Sequence, residues 1–255
     1  MLHFKSNQLI NNLQEICLGE NKIVEKIMCQ LDILIDNRSW FSRNIVKTKG
    51  YHPSVILKTL FILPYLSLPN VFSIYQSGMT LLRGAGKDVF YEFKNNNKIN
   101  WRKYLNSVVK KYLKIIQEKS EPLQQELLKC FIVDDTTCEK TGKCIEMIGR
   151  VFDHVMHKSL LGFKFLVLGY WDGKSFIPVD FSIQGEKGKN PDKPQGMKKK
   201  DLKKRFQMQR PTDTCPSSER ADEYFMSKLD NAVCMIKRAV KNGITAKYVL
   251  ADSWF

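Results

Sequence analysis

Cys130-Phe-Ile-Val-Asp134 and Lys247-Tyr-Val-Leu-Ala-Asp252 are two short apolar runs, each ending in a carboxylate, and their reading decides the fold. A run of this length without polar alternation is typical of a strand buried on both faces. Between them, Gly162-Phe-Lys-Phe-Leu-Val-Leu-Gly-Tyr170 and Ser175-Phe-Ile-Pro-Val-Asp-Phe-Ser182 flank an Asp172-Gly173 turn signal, which predicts a hairpin. Pro178 marks a bulge or an edge in its second strand. A helix is predicted from about Ser218. Glu219, Asp222 and Glu223 crowd its first turn, and Lys237, Arg238 and Lys241 its last, as the helix dipole prefers. Its apolar stripe is Ala221, Phe225, Leu229, Ala232, Val233, Ile236 and Val240, and Gly243 supplies the stop. These elements predict an α/β domain over residues 126–255.

In open α/β sheets, ligands collect beyond the carboxyl ends of parallel strands. If the two acid-ended runs pair in parallel, roughly 4.8 Å apart, Asp134 and Asp252 reach one site and can share a divalent cation. Two such cations about 4 Å apart activate a water or hydroxyl and stabilise the leaving oxygen of a phosphodiester. Asp at a strand end is also a common turn or cap residue, so spacing alone leaves both readings open.

Residues 1–125 read as helical. Ile23, Ile27, Leu31 and Leu34 form one stripe, Pro53 starts a helix carrying Val55, Ile56, Leu60 and Leu63, and Leu68-Pro69-Asn70 breaks the chain before Val71–Leu82. Trp101–Gln117 is predicted as a further helix with Lys110, Lys111 and Lys114 on its polar side. Short basic helices joined by tight turns are compatible with a DNA-binding helix-turn-helix and equally with a plain bundle.

Charge narrows the partner. Lys and Arg total 41 against 26 acids, a formal charge of +15, which points to a polyanion. The most apolar stretch, Val55–Leu68, is too short to span a bilayer and contains Lys58 and Pro64, so no membrane partner is expected. The segment Gln184–Arg210 holds ten basic and three acidic residues and reads as an irregular basic insertion, 184–216, in the α/β domain. Its Lys187, Lys189, Lys198, Lys199, Lys200, Lys203, Lys204 and Arg205 are candidates for tracking a phosphate backbone. A solvated charge run is the competing reading. The seven cysteines are odd in number and form no CxxC pair, which indicates reduced, intracellular thiols. His154 and His157 with Cys138 and Cys144 match no common zinc spacing. Asp134-Asp135-Thr136 is similar to the aspartyl-phosphate motif of haloacid-dehalogenase-type phosphatases, but Thr136 stands where the second aspartate of that motif belongs.

The blocks IVDDTTCEKTG (132–142), VFDH (151–154), LVLGYWDG (166–173) and YVLADSWF (248–255), in this order, resemble the transposases of the IS4-like insertion sequences. DVFYEFKNNNKINWRKYL (88–105) is similar to the helical region that precedes their catalytic domain. The resemblance implies a ribonuclease-H-like mixed sheet with a DDE triad, Asp134 and Asp252 being the first two acids and Asp135 the alternative to Asp134. It implies Mg²⁺ as cofactor, with Mn²⁺ able to substitute, and hydrolysis at transposon ends followed by strand transfer. The implied partner is double-stranded DNA at terminal inverted repeats, with a homodimer as one arrangement of the complex, in a bacterial cytoplasm. Lys140 and His154 lie in the resembling blocks as candidate phosphate contacts. The family's third acid is a Glu on a later helix, and the chain ends three residues after Asp252. The expectation is therefore a sheet cut short and a DNA-binding protein with two of three metal ligands, inactive in cleavage. The alternative is a non-catalytic remnant or inhibitor of transposition.

Overall fold

The computed structural model describes residues 29, 33, 38–45, 50–76, 86–119, 128–210 and 215–252. They fall into two compact units, Met1–Ile99 and Asn100–Phe255. The stripe of Ile23, Ile27, Leu31 and Leu34 lies outside the described residues.

The first unit contains α1 (Arg38–Asn44), α2 (Pro53–Ile62), α3 (Val71–Gln76) and α4 (Lys87–Lys94). The predicted start of α2 is there: Pro53 occupies the first turn, where its missing N–H costs nothing, and the His52 ring accepts from the Ser54 amide at 3.3 Å. Phe41, Ile56, Val71, Ile74, Phe90 and Ile99 are buried in this unit.

The second unit begins with α5 (Trp101–Lys119), which packs on the sheet. Five strands follow: β1 (Cys130–Glu139), β2 (Gly149–Asp153), β3 (Lys158–Trp171), β4 (Phe176–Gln184) and β5 (Tyr248–Ala251). β3 pairs antiparallel with β1 along one edge, from Cys130–Trp171 to Glu139–Gly162. Its other edge carries β2 against Lys158–Gly162 and β4 against Lys164–Trp171, both antiparallel. β5 joins β1 in parallel. This mixed sheet with helices is the α/β class expected, and it is consistent with a ribonuclease-H-like domain.

Alternation sets the core. Phe131 and Val133 of β1, with Leu166, Leu168 and Tyr170 of β3, face the helices and meet Val109 of α5 and Ala232, Met235 and Ala239 of α8 (Lys228–Lys241). The irregularity expected at Pro178 is present. Gly169 pairs with Pro178 and Leu168 with Asp180, so Val179 is an extra residue. Proline has no ladder donor, and a bulge accommodates it. The bulge changes the parity of β4, so that Asp180, Ser182 and Gln184 join Ile177 and Val179 on the buried side.

The buried Asp180 anchors a charge cluster. Arg102 of α5 lies 2.6 Å (Nε) from Asp180 Oδ1 and 2.8 Å (Nη2) from Glu223 Oε2. Arg238 of α8 lies 2.8 Å (Nε) from Asp180 Oδ2 and 2.9 Å (Nη1) from Glu223 Oε1. Glu223 ends α7 (Pro216–Glu223), so two arginines and two acids tie three helices to β4.

One helix was expected from about Ser218, but two are found, broken between Glu223 and Lys228. Ser227 caps α8, its Oγ accepting from the Asp230 amide at 3.1 Å, which is a Ser-x-x-Asp signal in the sequence. The break shifts the helical phase. Phe225, Leu229, Val233 and Val240 of the expected stripe are exposed, Ala232 of it is buried and Ile236 packs against the core, and Asn231, Met235 and Ala239 outside it are buried.

Two outcomes test this account. Asp180→Asn leaves two arginines short of a carboxylate and should cost about 3 kcal/mol or more, read as a lower urea midpoint at unchanged m. A loss below about 1 kcal/mol would show that the cluster behaves as a surface pair. Gly162→Ala should cost about 1–3 kcal/mol, because an added Cβ would run into the Cys138 carbonyl of the neighbouring strand. Gly142→Ala, whose Cβ would meet only Ile145 side-chain atoms at 3.8 Å, should unfold close to the parent temperature in the same thermal scan.

Candidate active site

The parallel register of β1 and β5 runs from Cys130–Tyr248 to Val133–Ala251. The next residue after each paired run is an aspartate, Asp134 and Asp252, on strands that lie roughly 4.8 Å apart. Asp252 follows the end of β5, whereas Asp134 lies inside β1, which was expected to end there but runs on to Glu139. Both residues are exposed. Asp134 Oδ1 accepts from the Asp135 amide at 2.8 Å, and Asp134 has no ion pair among the described residues. Its partner on β3 is Val167, so it stands on the sheet face opposite the helix-covered core.

Asp135 points the other way. It shares the parity of Phe131 and Val133, and its Oδ2 lies 2.7 Å from Lys228 Nζ at the start of α8. One residue of register thus separates a solvent-facing carboxylate from one held by a lysine.

Lys140 and His154 are not beside this pair. The Lys140 amide donates to Leu161 O at 2.7 Å, six residues along β1 from Asp134. His154 is in the turn between β2 and β3, edge-on to Phe152 with ring centroids 5.1 Å apart. The turn is built by Asp153, whose carboxylate accepts from the Thr137 hydroxyl and from the amides of Val155 and Met156 at 2.9 and 2.8 Å. The Thr137 hydrogen bond, then the Met156 amide, hold its pKa below the ordinary carboxylate value. Among the described residues no three His, Cys, Asp or Glu gather as a metal-holding group.

The basic insertion is more ordered than its composition suggests. Its 3-10 turn, Pro194–Gly196, packs on β2, and α6 (Lys199–Leu202) follows. The Gln195 amide donates to Lys187 O at 2.9 Å, and Phe206 N to Cys144 O at 2.8 Å. Lys187, Lys189, Lys198, Lys199, Lys200, Lys203 and Lys204 are exposed. Arg205 differs from them: its Nη1 donates to Ile148 O at 2.9 Å and to Gln195 Oε1 at 2.6 Å, which makes it a clasp for the insertion. Sequence reasoning missed Lys143, Arg150 and Lys193, which meet Lys198 around a cavity of about 240 Å³. They come from separate segments, and no local pattern announces their meeting.

No helix among the described residues is long and apolar enough to cross a membrane. Searches of curated proteins and of solved structures return no match. A family model described as DDE superfamily endonuclease matches residues 79–255, a span that includes the whole sheet, Asp134 and Asp252. The chain therefore belongs to the DDE superfamily endonucleases.

Proposed function

We propose that the chain works on DNA as a transposase of the IS4-like kind, hydrolysing phosphodiesters at transposon ends and joining the freed 3′ hydroxyl to target DNA. The observation that carries this reading is the parallel register ending at Val133–Ala251, after which the next residues are the exposed Asp134 and Asp252. Two carboxylates on adjacent parallel strands are hard oxygen donors of the kind Mg²⁺ or Mn²⁺ takes. Asp134 and Asp252 would hold the metal, which when bound activates the attacking oxygen and stabilises the leaving one. Asp135 serves as a positioning residue, joining β1 to the start of α8 through Lys228. The exposed lysines of the insertion steer and hold the backbone of double-stranded DNA without reading its sequence. Terminal inverted repeats as the substrate, a homodimer in the DNA complex and a DNA-associated life in a bacterial cytoplasm belong to the same reading. A third acid is part of the site that the family resemblance implies.

The pair is tested by Mn²⁺ titration of the full chain, followed by NMR line broadening. Amides around residues 134 and 252 should broaden in the parent and in Asp135→Asn, and stay sharp in Asp134→Asn and Asp252→Asn. Plasmid nicking by a chain that also carries the third acid should vanish in the same two variants while gel-shift binding persists. Broadening that is lost only in Asp135→Asn would move the site by one residue. Nicking by both single variants would end the metal-site assignment.

A further inference from the structure

We propose that the cavity beside β2 holds one phosphate group, supplied by the backbone of bound DNA. The proposal rests on the DNA-processing reading above. The cavity, of about 240 Å³, is walled by Lys143 from the β1–β2 connection, Arg150 from β2, and Lys193 and Lys198 from the insertion, with Asp201 as the one acid. Asp201 is matched by Lys143, whose Nζ lies 3.4 Å from its Oδ2. Arg150 Nη1 reaches only a backbone oxygen, Ser159 O, at 3.3 Å, and Lys193 and Lys198 have no carboxylate partner among the described residues. Three positive charges therefore remain around one concave space, and a cleft lined by one sign of charge concentrates the potential that draws an anion.

The walls are built, not a solvated run. Gly196 adopts a left-handed φ of 67°, and an added Cβ there would sit 2.8 Å from Arg150 Cβ, so only glycine lets the insertion come this close to β2. The Lys193 amide donates to Asn190 O at 2.9 Å and the Gly196 amide to Lys193 O at 2.8 Å. These bonds fix the backbone that carries Lys193 before any ligand arrives. No aromatic ring lines the space, so a base would find nothing to stack on, whereas a phosphate suits a guanidinium fork and lysine point charges.

Placement favours DNA as the source. Arg150 pairs with Leu161, which lies in the same row of β3 as Phe163, Phe165 and Val167, and Val167 pairs with Asp134. Cavity and carboxylates thus share one sheet face, six residues apart along β3, or about 20 Å. That is the length of roughly six base steps of a duplex. A phosphate held here would fix the duplex about half a turn from the carboxylate pair.

The test measures binding of the full chain to a duplex across salt, with Arg150→Gln, Lys193→Gln/Lys198→Gln and the triple variant. Because all three cations serve one phosphate, the triple variant should lose about 0.9 in log–log slope in total. Independent contacts would cost about 0.9 each, and a loss near three times the single value, or none, overturns the proposal. Lys193 and Lys198 are exposed, so their double variant keeps the test alive if Arg150→Gln does not fold. Methylphosphonates placed one at a time should reveal one position that weakens the parent and leaves the triple variant unaffected; no such position overturns it. Inorganic phosphate, titrated against the full chain by NMR, should shift the Gly196 and Arg150 amides saturably. If the parent binds no duplex, the DNA-processing reading fails, and saturable phosphate shifts would then assign the cavity to free phosphate and overturn DNA as the source.

Discussion

Four buried or half-buried charges, Arg102, Asp180, Glu223 and Arg238, hold the second unit together. Moving a single ion out of water into a protein costs several kcal/mol, and a pair recovers this only when each partner is well placed. Here both oxygens of Asp180 and both of Glu223 face guanidinium nitrogens, and the Arg102 fork also reaches the Phe181 carbonyl at 2.9 Å. An apolar cluster of the same size could match its stability. It would not select one arrangement of α5, α7 and α8, because apolar contacts slide while a guanidinium fork accepts few geometries.

The consequence reaches the far side of the sheet. α8 leads through Ile244, part of the core, to β5. Seating α8 by Arg238 and by Met235 therefore determines which β1 residues β5 can meet. The register that results puts two aspartates side by side, and strand alternation then separates Asp134 from Asp135. An acid on the helix side of the sheet needs a cation, and Lys228 is that cation. The acid on the open side has no ion pair among the described residues, and its Oδ1 accepts only from the Asp135 amide.

Where sequence and structure part, the cause is competition between local signals. The acids at the start and bases at the end of 218–241 describe one long amphipathic helix, yet Ser227 with Asp230 is a second start signal inside it. The second start brings Met235 and the small Ala239 toward the sheet beside Ala232, and leaves Leu229 and Val233 outside. The insertion shows the reverse. Its charge suggests a solvated run, but Gly188 and Gly196 in left-handed conformations let it fold back on itself and on β2.

Local signals were enough to set the element types. The strands that carry the apolar runs before Asp134 and Asp252, the Asp172-Gly173 hairpin, the Pro178 irregularity and the helix start at Pro53 all follow from apolar runs, turn chemistry and the missing proline donor. Candidate carboxylates were legible because each follows an apolar run, although β1 continues past Asp134 to Glu139. It took long-range contacts to make these two strands parallel neighbours, to turn Asp134 and not Asp135 toward solvent, and to give Arg102 and Lys143 partners far along the chain. Parallel pairing and buried charge are long-range choices. Their energy comes from groups that meet only after the chain has crossed over, so no window of sequence contains both sides of the interaction.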